Sequence, residues 1–126
     1  MNIRIALPKD SKKIKALIAR HPERLIQTNL PKLKDFFVAE KDGEIIACCA
    51  LQVYSKRMAE IRSLVVEQHY WRQGIATKLI KECLKKAKKL KIYEVLSVTS
   101  SVLLFENQGF KMFNDEKYAL LKMMGV

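Results

Sequence analysis

Two groups of residues in this chain have types and spacings that chemistry could use. The first is Glu60 with Arg62, an acid and a base two positions apart in the mostly apolar run Met58 to Val66. Residues two apart on a strand point to the same face, so Glu60, Arg62 and Leu64 form one set and Ala59, Ile61 and Ser63 the other. Charges in such a strand are costly unless they face a cavity or pair with each other. Both readings stand: the wall of a site, and a structural Glu60–Arg62 pair. The second group is Gly74 and Ala76, the smallest residues of Trp71-Arg72-Gln73-Gly74-Ile75-Ala76, which fall where an amphipathic helix begins. The first turn of a helix carries unpaired N–H groups and the positive end of its dipole. Small side chains there let an anion come down onto the amides, which makes a phosphate cradle. The plain alternative is a strand, a turn and a helix with a glycine in the turn.

The elements that must position these residues are legible from periodicity. Ile75, Leu79, Ile80, Cys83, Leu84, Ala87 and Leu90 recur at helical spacing, and Lys78, Lys81, Lys85, Lys86, Lys88, Lys89 and Lys91 alternate with them. The net charge of +11, from 24 Lys and Arg against 13 Asp and Glu, sits largely on this helix. A solvated outer face explains it better than a nucleic-acid surface, because no recognised nucleic-acid module or interleaved aromatics accompany it. Upstream, Asn2 to Leu7 reads as a strand, and Asp10 or Ser11 can cap a helix carrying Ile14, Leu17 and Ile18. His21-Pro22 ends that helix, and Glu23 to Asp35 is a connection with a short helix after Pro31. Phe36 to Glu40 and Ile45 to Tyr54 are strands joined by a hairpin turn at Lys41-Asp42-Gly43-Glu44, the second being nearly all apolar and so central. After the long helix, Ile92 to Val98 reads as a buried strand, and Thr99-Ser100-Ser101 caps a short helix ending at Gly109. Phe110 to Phe113 and Tyr118 to Met124 make a closing hairpin through Asn114-Asp115-Glu116.

With 126 residues, 49% hydrophobic and 29% charged, residues 1–126 read as a single globular domain. No apolar run approaches the ~20 residues that span a bilayer, and no signal-peptide pattern precedes the first strand. Cys48, Cys49 and Cys83 are an odd set without CxxC spacing, which suggests buried free thiols in a reducing cytoplasm rather than disulfides or a metal site.

The loop Trp71-Arg72-Gln73-Gly74-Ile75-Ala76 resembles the acyl-CoA-binding motif of the GNAT superfamily of N-acyltransferases, Gln/Arg-x-x-Gly-x-Gly/Ala, with Trp71 in place of the usual first residue. The order of elements resembles that family from Ile3 to about Lys122. The resemblance implies an α+β (mixed α/β) GNAT-like fold. Its mostly antiparallel sheet would have about six or seven strands, splay between strands 4 and 5, and be flanked by about four helices. It also implies acetyl-CoA as co-substrate, with no metal. The diphosphate would lie over Trp71, Arg72, Gln73, Gly74, Ile75 and Ala76, with Thr77 adding a hydroxyl. Leu64, Val65 and Val66 would pair with the acetyl and pantetheine portions, an amide near Leu64 or Val65 holding the oxyanion. Dimerisation through late strands is a further expectation from the resemblance.

On the same basis Glu60 is the general base for a primary amine that attacks the thioester directly. The family's tyrosine, four residues before a Gly-Phe pair, is here Phe105, which has no proton to give and reads as core packing. A family asparagine near Val98 is also missing, with Thr99, Ser100 or Ser101 as stand-ins. Asp35 to Glu40, Ala59 to Leu64 and Phe105-Glu106 before Gly109-Phe110 look like small N-acetylglutamate synthase-type enzymes. That narrower resemblance implies a glutamate-like acceptor, with Arg62 on its carboxylate and Gln27 where a substrate-binding arginine is expected. Two other readings remain: an acetyltransferase acting on protein lysines or N-termini, and a non-catalytic acyl-CoA-binding module.

Overall fold

The computed structural model describes residues 1–112, Lys122 and Met124. Its strands are β1 (Asn2–Ile5), β2 (Phe36–Lys41), β3 (Glu44–Val53), β4 (Met58–Val66) and β5 (Glu94–Leu96); its helices are α1 (Ser11–Ala19), α2 (Ile75–Lys89) and α3 (Val102–Glu106). The sheet runs β1-β2-β3-β4-β5, antiparallel through β4, with β5 parallel to β4. This is the mixed α+β, mostly antiparallel architecture expected from the sequence, with five strands among the described residues. The expected closing hairpin, including Tyr118, lies outside the described residues.

The sheet is covered on both faces, which explains why β3 is apolar at nearly every position. Phe37, Ala39, Cys49, Leu51, Ala59 and Ile61 pack under α2 through Ile75, Leu79, Ile80, Cys83 and Ala87. Phe36, Val38, Ile45, Cys48 and Ala50 pack on the other side with Ile14, Leu17 and Ile18 of α1. Each fully buried aliphatic side chain contributes about 1.5–3 kcal/mol. A helix cap contributes only about 1 kcal/mol. The inner face therefore holds α2 in place, and its N-terminus can go without a side-chain cap.

Three local expectations are corrected. The helix expected after Pro31 is a single 3-10 turn at Leu33–Asp35. The expected strand Ile92 to Val98 pairs only over Glu94–Leu96, because β4 and β5 part beyond the Glu60–Leu96 pair and no ladder remains to extend. Asp10 stands at the N-cap position of α1 but makes no cap bond there. Its carboxylate turns back instead, accepting from Arg4 at 2.7 and 3.2 Å and from the Leu7 amide at 2.7 Å.

Asp10 is the one buried charged residue of the described set. The bonds from Arg4, which also reaches Glu40 at 3.1 Å, hold its carboxyl below the usual carboxylate range. Removing the Asp10 charge takes away the closer partner of Arg4, which keeps Glu40. Asp10→Asn is therefore expected to cost about 1.5–3 kcal/mol at neutral pH in urea unfolding. A depressed folded pKa stabilises fully above the unfolded value of about 3.9, and that contribution drains away as pH falls below it. The gap between wild type and variant should accordingly narrow in unfolding at pH 3. A constant gap would contradict an ionised Asp10.

All three cysteines are free and buried. Burial pushes the Cys48 thiol far above its usual range, and the neighbouring Cys83 sulfur, 3.7 Å away, together with burial does the same for Cys49. The thiolate is the reactive form, so a thiol reagent should find no fast-reacting group in the native protein and three after denaturation. A fast thiol in the native state would contradict this packing.

Candidate active site

β4 changes phase at its centre. Cys48 pairs with Val65 and Ala50 with Arg62, so Ser63 and Leu64 together oppose Cys49 alone. Ser63 takes up this bulge at φ +55°, a left-handed conformation uncommon outside glycine, and its carbonyl lies 3.4 Å from the Cys48 sulfur. The extra residue reverses the alternation. Ala59 and Ile61 before it and Leu64 and Val66 after it all pack on the α2 side, while Val65 joins the core on the α1 side. The expected grouping of Leu64 with Glu60 and Arg62 is therefore overturned, since simple period-two counting does not survive a bulge.

A cleft of about 670 Å³ opens where β4 and β5 separate. The last bridge across it is from Ser97 Oγ to the Ile61 carbonyl, 3.1 Å. Beyond that, the β5-facing edge of β4 from Arg62 to Val66 runs without a strand partner among the described residues. Leu64, Val65 and Val66 line the cleft on one side, and Val98, Thr99 and Ser100 on the other.

The cleft ends at the mouth of α2. Gly74 is the N-cap residue at φ +77°, and Arg72 beside it is at φ +65°. The first amide bonded within the helix is that of Lys78, to the Gly74 carbonyl at 3.1 Å. The amides of Ile75, Ala76 and Thr77 precede it and have no side-chain cap, and all three residues line the cleft with Gly74 and Arg72. A Cβ on Gly74 would meet nothing within 4 Å, so the loop is open at that position. Donors arranged this way accept an anion.

Glu60 and Arg62 both line the cleft, and no ion pair joins them. Glu60 accepts a hydrogen bond from the Tyr54 hydroxyl, and burial together with that acceptor pushes the phenol up to about 12. Arg62 donates to Gln52 Oε1 at 2.6 Å and to the Asn29 carbonyl at 3.0 Å. Two residues expected at the site lie outside the cleft wall. The Gln27 amide is spent on the Ile18 and Leu25 carbonyls at 3.0 and 3.1 Å, and Gln73 is exposed between the two left-handed residues of the loop. Trp71 does line the cleft, with its indole N–H donating to the Val66 carbonyl at 2.7 Å. Phe105 is buried and meets Phe110 edge to face at 5.1 Å. Residues that the sequence reading did not place here also line it: His21, Glu23, Arg24, Tyr70 and Ser97. All five come from irregular segments or a single 3-10 turn, where no periodicity signals a direction.

The acetyltransferase (GNAT) family model matches residues 9–110, most of the chain. The chain belongs to the GNAT family. Among its GNAT relatives is an uncharacterized N-acetyltransferase of Chlorobaculum tepidum, 30% identical over 96 residues, an alignment covering 76% of this chain and 62% of that one. An amino-acid acetyltransferase of Aliivibrio fischeri is 32% identical over 75% of this chain and 21% of its own length. This GNAT chain thus spans less than two thirds of the first relative and about a fifth of the second. A Mycobacterium tuberculosis structure solved in complex with CoA superposes with a TM-score of 0.84 at 26% identity, covering 90% of this chain and 74% of that one. The N-acetylglutamate synthase of Neisseria gonorrhoeae, solved with CoA and N-acetyl-glutamate, shares the fold at a TM-score of 0.74 and 22% identity, over 86% and 27% of the two chains. Among the described residues, no His, Cys, Asp and Glu cluster could hold a metal, and no helix is long and apolar enough to cross a membrane.

Proposed function

We propose that residues 1–126 act as one GNAT domain that moves the acetyl group of acetyl-CoA to the primary amine of a small, glutamate-like acceptor by direct attack. The observation that carries this reading is the continuity of the cleft. It runs from uncapped amides at α2, along the unpaired edge of β4, to the carboxylate of Glu60. These residues fit the cofactor: the Gly74–Thr77 backbone would hold its diphosphate, and the Leu64–Val66 edge its pantetheine arm. When bound, acetyl-CoA would supply an acyl carbon activated by sulfur.

The chain's own residues do the rest. Glu60 takes the amine proton as the new carbon–nitrogen bond forms, and the Tyr54 hydrogen bond orients its carboxylate. An amide at Leu64 or Val65 steadies the charge that develops on the acyl oxygen. Phe105 is buried at the cleft wall and has no proton to give, so the departing sulfur takes its proton from water or from a hydroxyl of Thr99, Ser100 or Ser101. The Arg62 fork, steadied by Gln52, suits an acceptor carboxylate. The amino-acid acetyltransferase names of several relatives support that acceptor class, and three free thiols suit a reducing cytoplasm.

The test is calorimetric titration with CoA, followed by thiol release from acetyl-CoA over a panel of amino acids, small amines and peptides. The expected result is CoA binding, with release that depends on an amino acid. Binding without release would make this a non-catalytic acyl-CoA module. Acetylation of lysate proteins with small amines inert would replace the acceptor, and no CoA binding would remove the reading.

A further inference from the structure

The cofactor loop lacks a basic or amide side chain at its first position, and the residue that stands there can offer an anion nothing. The only polar hydrogen of the Trp71 side chain is committed to the Val66 carbonyl at 2.7 Å, which also fixes the ring across the end of β4. Over that ring lies the Arg24 guanidinium, its central carbon 5.5 Å from the ring centroid. Arg24 comes from the connection after α1, some 47 residues before the loop, yet both side chains line the same cleft as the α2 amides. We infer that Arg24, seated on Trp71, is a ligand for the diphosphate of the bound nucleotide cofactor, doing from across the cleft what the loop's own first residue does not.

Among the described residues, Arg24 and Arg72 are the cleft arginines with no ion pair and no side-chain hydrogen bond, and Arg24 alone is brought in from outside the loop and held by an aromatic face. Arg20 is paired with Glu67, and Arg62 stands two residues from Glu60, at the amine end of the cleft. Glu23, next to Arg24 in sequence, lies by His21 Nδ1 at 3.8 Å. Arg24 itself has no carboxylate or hydrogen-bonded side-chain partner among the described residues. An aromatic face steadies a guanidinium without consuming its donors, so the fork stays available for two phosphate oxygens.

Distance decides between cofactor and acceptor. Trp71 is tied to Val66, six residues along β4 from Glu60. At about 3.3 Å per residue, that is on the order of 20 Å from the carboxylate that would receive the amine proton. A guanidinium over Trp71 is therefore placed for the phosphate end of the cleft and not for the amine end.

This inference rests on the proposed acetyl-CoA reading, and the experiment separates the two. Wild type, Arg24→Gln and Arg24→Lys are titrated with CoA, 3′-dephospho-CoA and pantetheine. For Arg24→Gln the expectation is a loss of about 10-fold or more for CoA and for 3′-dephospho-CoA, with pantetheine unchanged and Arg24→Lys in between. Trp71→Leu should weaken CoA similarly and add little to Arg24→Gln, since both remove one device. Arg24 is exposed, so the variants keep the fold. A loss confined to CoA would reassign Arg24 to the 3′-phosphate. Unchanged CoA affinity with a raised acceptor KM would make it an acceptor residue. Additive losses would remove Trp71 as its platform. Each result overturns the assignment, and failure of wild type to bind CoA would overturn the functional reading along with it.

Discussion

Glutamate in place of Gly74 should weaken CoA binding by about 100-fold or more while the domain stays folded. At φ +77° an L-residue is strained by about 1–2 kcal/mol, which for a chain of this size lowers Tm by a few degrees. The new side chain would meet no protein atom near its Cβ, and the cleft that Gly74 lines with Ile75, Ala76 and Thr77 leaves its carboxylate room to reach their amides. There it would offer those donors a carboxylate of its own and repel a second anion. Gly74→Ala carries the same strain without the carboxylate and should keep most of the affinity. That pair of variants separates obstruction from backbone cost, and equal CoA affinity in wild type and Gly74→Glu would sink the cradle.

Glu60→Gln should lower kcat by about 10²–10⁴-fold, the usual contribution of a positioned general base, with the Kd for CoA unchanged. Glutamine keeps the shape of the side chain and an oxygen that can still accept from Tyr54, so β4 has no reason to shift. The loss would then report the missing charge and not a rearranged strand. The reading predicts this split because Glu60 is six residues of strand away from the end of β4 that meets the cofactor loop. A kcat within about threefold of wild type would take Glu60 out of the mechanism.

Features with strong periodic signals were readable in the amino-acid sequence. α2 follows from its apolar stripe, β3 from its unbroken apolar run, and the loop into Gly74 from the glycine at the head of that stripe. The bulge at Ser63 was not readable, because a serine inside a strand gives no sign that it will adopt a positive φ. That hidden residue misassigned the side of Leu64. Asp10 looked like a helix cap until a guanidinium from β1 outcompeted the helix amides for its carboxylate. Gln27 was located by its place in a resemblance, but its amide is spent on the Ile18 and Leu25 carbonyls. Arg24 was invisible as a site residue because only tertiary folding brings it to Trp71.

On the proposed acetyltransferase reading, the kink at Ser63 would also limit how large an acceptor can be. On the α1 side of β4, Glu60 and Arg62 are followed by Val65, a buried member of the apolar cluster that Leu25, Leu30 and Leu33 pack against. Polar frontage along that side is therefore about two residues of strand, roughly 7 Å. Such a berth suits a molecule the length of an amino acid, whereas a peptide laid along the ribbon would run aground on Val65 after its first residue or two.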